Sequence, residues 1–209
     1  MLVASLPCIV KHLGQAEYQP TAAAMRAFTA HRDADTVDEI WIVEHPPVYT
    51  LGVGADPAHG PKGDIRIPVI RCERGGEITY HGPGQVVLYA LFDLARRGIR
   101  VREFVALLEQ AVIDLLAEHG VAAQRRPGAP GVYVDGAKVA ALGLRVSRGR
   151  CYHGLALNVD MDLAPFAAID PCGFPGLRVT QTRDLGVMRS SRDLGERLGA
   201  ILIGKLEDA

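Results

Sequence analysis

Hydrophobic patterning along the chain separates predicted strands from predicted helices. Residues 86–92 form the longest apolar run, seven residues without a polar interruption, which predicts a strand over 86–94 that is buried on both faces. Between 101 and 119, apolar residues instead recur every three or four positions, and this spacing predicts an amphipathic helix that ends at Gly120. An Asp135-Gly136 pair between two apolar runs, 131–134 and 138–146, predicts a β-hairpin.

Shorter apolar segments predict the remaining elements. The predicted strands lie at 8–13, 39–44, 48–51, 66–71 and 151–159. One further helix is predicted at 20–32, where a proline stands in the first turn and Ala24, Phe28 and His31 share a face. The last helix is predicted at 190–206. Because most strands follow one another directly, the pattern favours an α+β fold over alternating βαβ units.

Length and charge narrow the class of protein. The 209 residues correspond to one domain at ~100–200 residues per domain, so we expect residues 1–209 to form a single domain. Its 23 Lys and Arg and 24 Asp and Glu give a net charge of −1, without the basic excess typical of nucleic-acid-binding proteins. No apolar run approaches the ~20 residues of a membrane span, and the N-terminus lacks a signal-peptide pattern. We therefore expect a cytoplasmic protein.

The segment 74–85, RGGEITYHGPGQ, has an unusual composition for a turn. It contains four glycines next to Thr79, Tyr80 and His81. Glycines let the backbone approach a ligand closely, and their N–H groups can hold an oxyanion or a carbonyl oxygen. The segment is therefore a candidate substrate site, and the alternative is a hairpin with glycine turns.

Two further residues could carry chemistry. Cys172 stands in a loop rich in proline and glycine, where a thiol is accessible, although an inert loop cysteine fits the same pattern. Cys8, Cys72 and Cys151 lie in apolar segments typical of buried cysteines, and the absence of any Cys-x-x-Cys pair argues against a zinc site. Lys138 is one of only four lysines beside 19 arginines. A desolvated lysine can release its proton, which an arginine cannot, so its place in an apolar strand suggests a function.

Glycines on the neighbouring strands suggest a groove. We expect Gly143 and Gly154 to line a narrow slot, and we interpret His153 beside them as a polar packing residue. Arginines are also clustered at 96–102 and 145–150, and such clusters are most often solvated faces.

Several of these segments together resemble the lipoyl(octanoyl) transferase family. The 74–85 segment resembles the family signature RGGxxTYHGPGQ, and KVAALGLRV at 138–146 is similar to its lysine strand. HGLALNV at 153–159 and the Pro171-Cys172-Gly173 tripeptide follow in the same order. The resemblance extends over residues 44–180, and Gln181 departs from it, where a serine is expected.

This resemblance implies a fold, a reaction and a set of site residues. The fold would be that of biotin and lipoate protein ligases, a mixed and mostly antiparallel sheet with flanking helices, and residues 1–209 would form one catalytic domain. The reaction would move an octanoyl or lipoyl group from acyl carrier protein to a lysine of a lipoyl domain. Cys172 would carry the acyl thioester, and Lys138 would lower the thiol pKa and shuttle protons. The implied acyl-substrate site comprises Arg74, Gly75, Gly76, Glu77, Ile78, Thr79, Tyr80, His81, Ala141, Leu142, Gly143, Gly154, Leu155 and Ala156.

The resemblance also implies partners and leaves rival functions to test. The donor would be octanoyl-acyl carrier protein, and the acceptors would be lipoyl domains of 2-oxoacid dehydrogenase complexes and the H protein of glycine cleavage. Neither a metal, a cofactor, a nucleic acid nor a membrane would take part. One rival is an ATP-dependent lipoate or biotin ligase, against which the cysteine loop and the missing phosphate-binding motifs GxGxxG and GxxxxGK[ST] argue. The other is a non-catalytic module that binds acyl groups or carrier proteins.

Overall fold

In the part of the chain that the structure describes, the fold contains ten strands and four α-helices. The computed structural model describes residues 7–56, 60–62, 66–170 and 176–208. The strands are β1 (Cys8–Gln15), β2 (Asp38–Glu44), β3 (Val48–Leu51), β4 (Val69–Arg71), β5 (Ile78–His81), β6 (Gln85–Asp93), β7 (Gln124–Arg125), β8 (Gly131–Val134), β9 (Ala137–Ser147) and β10 (Arg150–Asn158). The helices are α1 (Tyr18–His31), α2 (Leu94–Arg97), α3 (Val101–Ala117) and α4 (Ser191–Glu207).

The strands form one large and one small sheet. Seven strands are arranged in the order β1-β2-β6-β10-β9-β8-β7, in which only the β1–β2 pair is parallel. This mixed, mostly antiparallel sheet with flanking helices confirms the α+β prediction. The second sheet, in the order β4-β3-β5, was not predicted as a separate unit. Its edge strand β5 is formed by residues 78–81 of the glycine-rich segment.

Strand β6 separates the two hydrophobic layers of the large sheet. All residues from 86 to 92 are buried, as the apolar run predicts. Alternate residues such as Leu88 pack with Phe104 of α3 and Leu198 of α4, whereas Tyr89 and its neighbours pack with Met25 of α1. The sheet therefore has two helices on one face and α1 on the other, and the α1 side carries the site described below.

One predicted strand was too long and one helix was missed. In α1, Ala24 and His31, two of the three residues predicted to share a face, are exposed, and the buried face is formed instead by Tyr18, Thr21, Met25 and Thr29. The strand predicted at 66–71 covers only Val69–Arg71 among the described residues. The four-residue helix α2 was missed, since a single turn is too short to show a periodic pattern.

The arginine cluster near residue 96 is used within the chain. The buried Asp38 carboxylate accepts hydrogen bonds from Arg32, from Arg96 at 2.9 Å and from Arg97 at 2.6 Å. Arg100 pairs with a glutamate one turn later in α3. This cluster is therefore a structural ion network. In the described part of the chain, moreover, no helix is long and apolar enough to cross a membrane.

Candidate active site

A cleft of about 510 Å³, measured with its open mouth, lies between the 74–81 segment and strands β9 and β10. Twelve of the fourteen residues of the expected acyl site line it, drawn from three separate parts of the sequence. They are Arg74, Gly76, Glu77, Ile78, Thr79, His81, Ala141, Leu142, Gly143, Gly154, Leu155 and Ala156. The fold thus brings together segments that are up to 82 positions apart (156 − 74) in the sequence.

The two remaining residues of that set do not line the cleft. Tyr80 packs in the small sheet, with its ring 5.5 Å from those of Tyr49 and Phe166. Gly75 donates its backbone N–H to the Leu144 carbonyl of β9 at 2.7 Å, which joins the glycine-rich segment to the large sheet. Both residues support the cleft from outside.

Glycines make the cleft possible because backbones approach closely there. Gly143 and Gly154 lie opposite each other in the β9–β10 register. A Cβ atom on Gly154 would lie 2.0 Å from the Leu88 carbonyl oxygen, and one on Gly143 would lie 2.8 Å from the Gly75 carbonyl oxygen. No side chain fits at either position without backbone movement.

The guanidinium of Arg74 anchors the glycine-rich segment to strand β3. It donates to the Thr50 carbonyl at 2.6 Å and to the Thr50 hydroxyl at 2.9 Å. The backbone of Gly52, Val53 and Gly54 brackets the segment by donating to the carbonyls of residues 77, 74 and 76. Among the described residues, Arg74 forms no ion pair with a carboxylate, so its positive charge remains next to the cleft.

Lys138 is buried at one end of this arrangement. Only 3% of the residue is exposed; its Nζ donates to the Pro130 carbonyl at 3.0 Å and lies 5.2 Å from the centre of the Tyr133 ring. Lys138 also lines a small pocket that shares Thr79 and Ala141 with the main cleft. The ammonium group is therefore next to the cleft and largely removed from solvent.

Polar side chains connect the glycine-rich segment to the strand of Lys138. His81 Nδ1 donates to Gln85 at 2.7 Å, and Gln85 donates to Asn158 at 2.9 Å. Asn158 donates to the Thr180 carbonyl at 2.9 Å, and the Thr180 N–H donates to the Lys138 carbonyl at 2.9 Å. This chain of hydrogen bonds fixes the relative positions of the two walls.

The imidazoles near the cleft are neutral at physiological pH. Burial lowers the pKa of His81 to about 3, with a further contribution from the nearby His45. Burial, followed by the charges of Arg74 and Arg26, lowers the pKa of His153 to about 3. Bases this weak are poor proton acceptors near neutral pH, so neither imidazole is suited to general-base catalysis there.

The described cysteines are poor nucleophile candidates. Burial raises the thiol pKa of Cys8 and of Cys151 to about 12. The Cys72 thiol donates to the Leu51 carbonyl at 3.1 Å. Cys172, the expected nucleophile, lies outside the described residues, as do Pro171 and Gly173.

Four lining residues were not predicted for the cleft: Tyr18, Val87, Tyr89 and His153. Val87 and Tyr89 belong to the apolar run at 86–92. Because every residue of that run is apolar, the sequence does not indicate which face of the strand lines a cleft. Tyr18 arrives only through the packing of α1 on the sheet. Within the described ranges, no group of three or more His, Cys, Asp or Glu side chains could hold a metal ion.

Comparison with known proteins defines the class. The family model "Lipoyl protein ligase A/B catalytic domain" matches residues 17–198. The fold is also similar to that of a lipoate-protein ligase A solved with bound ATP, with a TM-score of 0.79 and 15% identity over 94% of this chain and 84% of the other. A biotin protein ligase from Aquifex aeolicus is a more distant structural neighbour, with a TM-score of 0.59 and 10% identity over 96% of this chain and 71% of the other.

Sequence similarity defines the family more narrowly. The chain is 58% identical to an octanoyltransferase from Dechloromonas aromatica over 97% of this chain and 98% of the relative. It is 64% identical to an octanoyltransferase from Thiobacillus denitrificans over 86% of this chain and 82% of the relative. The chain therefore belongs to the lipoyl protein ligase A/B catalytic-domain family, and within it to the octanoyltransferases.

Proposed function

We propose that this protein transfers an octanoyl group from acyl carrier protein to a lysine of a lipoyl domain, through an acyl thioester on Cys172. The observation that carries the proposal is the cleft with small lining residues and a buried lysine at its edge, in a chain 58–64% identical to octanoyltransferases. The acceptors would be lipoyl domains of 2-oxoacid dehydrogenase complexes and the glycine cleavage H protein.

The reaction proceeds in two acyl transfers. The Cys172 thiolate attacks the thioester carbonyl of the donor, a new C–S bond forms, and the carrier thiol leaves with a proton. The ε-amine of the acceptor lysine then attacks the enzyme thioester, and the Cys172 thiol leaves as the amide forms. Because a thioester is already activated, neither step needs a nucleotide.

Lys138 is the proposed partner of Cys172. Its backbone N–H donates to the Arg178 carbonyl at 2.9 Å, and residues 176–180 follow the 171–175 segment directly in the sequence. A buried ammonium near the thiol favours the thiolate, and the same group can receive and return the transferred proton. The raised thiol pKa values of Cys8 and Cys151 support the choice of Cys172.

The walls of the cleft suit a medium-length acyl chain. Its lining includes Ile78, Val87, Leu142, Leu155 and Ala156, whose side chains are apolar. Each methylene removed from water contributes about 0.8 kcal/mol, so six methylenes contribute about 5 kcal/mol before the cost of ordering the chain.

The dependence of transfer on ATP tests this function against a ligase. Purified protein, octanoyl-acyl carrier protein and a lipoyl domain are incubated without nucleotide, and the acceptor mass is measured. We expect the lipoyl domain to gain an octanoyl group, while free octanoate with ATP and Mg²⁺ gives none. Transfer that requires ATP and free octanoate would establish the ligase instead. Binding of the carrier without any transfer would establish the non-catalytic module.

A further inference from the structure

A second cavity adjoins the cleft behind two side chains. This cavity, which we call the outer cavity, has a volume of about 510 Å³ measured with its opening to solvent, and it is lined by residues of α1, by the segment 70–73 and by His153. It shares two lining residues with the cleft, Tyr18 and His153. These two side chains, here called the end wall, therefore lie between the cleft and the outer cavity.

The backbone at His153 is distorted in a way that builds this wall. In β10, Cys151 and Leu155 face the layer of α3 and α4, and strict alternation would send His153 there too. However, β10 pairs with β6 at residues 150, 151 and 154–158, so the ladder skips 152 and 153. His153 adopts a φ of +65°, a strained value for a residue other than glycine. Its ring turns to the other side.

The rotated ring is held by aromatic contacts. His153 stacks on Tyr152 with ring centres 5.0 Å apart and meets Tyr89 edge to face at 5.9 Å. Both tyrosines belong to the hydrophobic layer of α1, on the cleft side of the sheet. The strain at His153 is thus maintained by packing that places the imidazole across the end of the cleft.

The end wall carries buried polar atoms that have no partner. Tyr18 and His153 are each 3% exposed, and within the described residues neither the Tyr18 hydroxyl nor His153 Nδ1 forms a hydrogen bond. Because both residues are buried, they fill the space between the two cavities. The end wall therefore opposes a longer acyl chain by steric contact.

The length of the cleft matches the proposed substrate. Lys138 extends toward Gly131, which pairs with Ala141, so the reacting end lies near Ala141. His153 pairs with Leu144, three residues further along β9, or about 10 Å at 3.3–3.4 Å per residue. An extended octanoyl chain is about 9 Å from carbonyl to methyl, from C–C bonds of about 1.5 Å. The methyl end would therefore reach the end wall.

We propose that Tyr18 and His153 set the acyl-chain length that the enzyme accepts, by closing the cleft against the outer cavity. This inference rests on the proposed function, because it takes the acyl carbonyl to react near Lys138. Removal of either side chain would join the two cavities and admit longer chains.

His153→Gly is the most informative variant. It removes the imidazole ring, and glycine adopts the observed φ without strain. The enzyme is offered an equimolar mixture of octanoyl-, decanoyl- and dodecanoyl-acyl carrier protein, and the acyl adducts are resolved by intact mass. We expect the decanoyl-to-octanoyl adduct ratio to rise about tenfold over wild type, the gain from two more buried methylenes. Tyr18→Ala opens the same wall from α1 and is expected to shift the ratio in the same direction.

Arg148→Gly is the matched control, because Arg148 also has a positive φ, +51°, but lines neither cavity. Its adduct ratio should equal that of wild type. A ratio unchanged within about twofold in both His153→Gly and Tyr18→Ala would overturn the end wall while leaving octanoyl transfer intact. If wild type forms no adduct, the proposed function fails. Calorimetric binding of octanoate, decanoate and dodecanoate to the same variants then tests the wall alone, and equal preferences would refute it.

Discussion

Replacement of His153 by asparagine should make the protein less sensitive to acid. The folded protein keeps this imidazole neutral, with a pKa of about 3, whereas the unfolded chain takes up a proton near 6.5. The unfolded state therefore binds more protons between these two pKa values. As a result, the free energy of unfolding is unaffected by this histidine above pH 6.5 and decreases as the pH drops toward 3. Asparagine removes the titrating group and tolerates the positive φ.

The size of the effect follows from the two pKa values. At pH 5 the unfolded histidine is almost fully protonated and the folded one is not, which corresponds to about 2 kcal/mol lost per such histidine. His81, whose pKa is also lowered to about 3, adds a similar loss in wild type and in the variant. The decrease in unfolding free energy from pH 8 to pH 5 should therefore be about 2 kcal/mol smaller in His153→Asn.

Urea unfolding followed by circular dichroism at pH 8, 6.5 and 5 measures this difference. Arg148→Asn places the same residue at another positive φ without removing an imidazole, and it should keep the pH dependence of wild type. An identical pH dependence in His153→Asn and wild type would refute the reasoning, because His153 would then titrate alike in both states.

The remaining predictions concern Lys138, the proposed proton carrier, and the glycines Gly154 and Gly204. Lys138→Arg should lose at least ~10²-fold in the rate of octanoyl transfer, measured with the melting temperature as a control for folding, because arginine cannot release a proton near neutral pH. Near-normal turnover would remove the proton-shuttle role. Gly154→Ala should cost roughly 2 kcal/mol of unfolding free energy, since its Cβ would lie 2.0 Å from the Leu88 carbonyl oxygen. Gly204→Ala in α4 has no atom within 4 Å of the added Cβ and should instead stabilise by about 0.5–1 kcal/mol; equal effects in both variants would contradict the close-packing argument.

Local patterns predicted most elements of the large sheet. The 86–92 run identified the interior strand β6, and Asp135-Gly136 placed the β8–β9 hairpin, because both signals depend on neighbouring residues alone. The separate small sheet was missed, since four-residue strands such as β3 show where the chain is extended but not which partner it meets.

The candidate site was predictable where a sequence motif carries it. Six residues of the 74–81 segment and the glycine pair of β9 and β10 line the cleft as expected, whereas Gly75 and Tyr80 do not. Tyr18 and His153 could not be found this way. Tyr18 reaches the cleft through the packing of α1. His153 reaches it through a local break in the β10–β6 pairing that turns its side chain to the other face of the sheet.

The central claim is that Cys172 carries the octanoyl group between donor and acceptor. The most direct measurement is the intact mass of the protein after incubation with octanoyl-acyl carrier protein, without ATP. Wild type and Cys72→Ala should each gain one octanoyl group that hydroxylamine removes, and a lipoyl domain added afterwards should take it up. Cys172→Ala should gain none. An adduct that persists in Cys172→Ala, or one that cannot be passed to the lipoyl domain, would contradict the account.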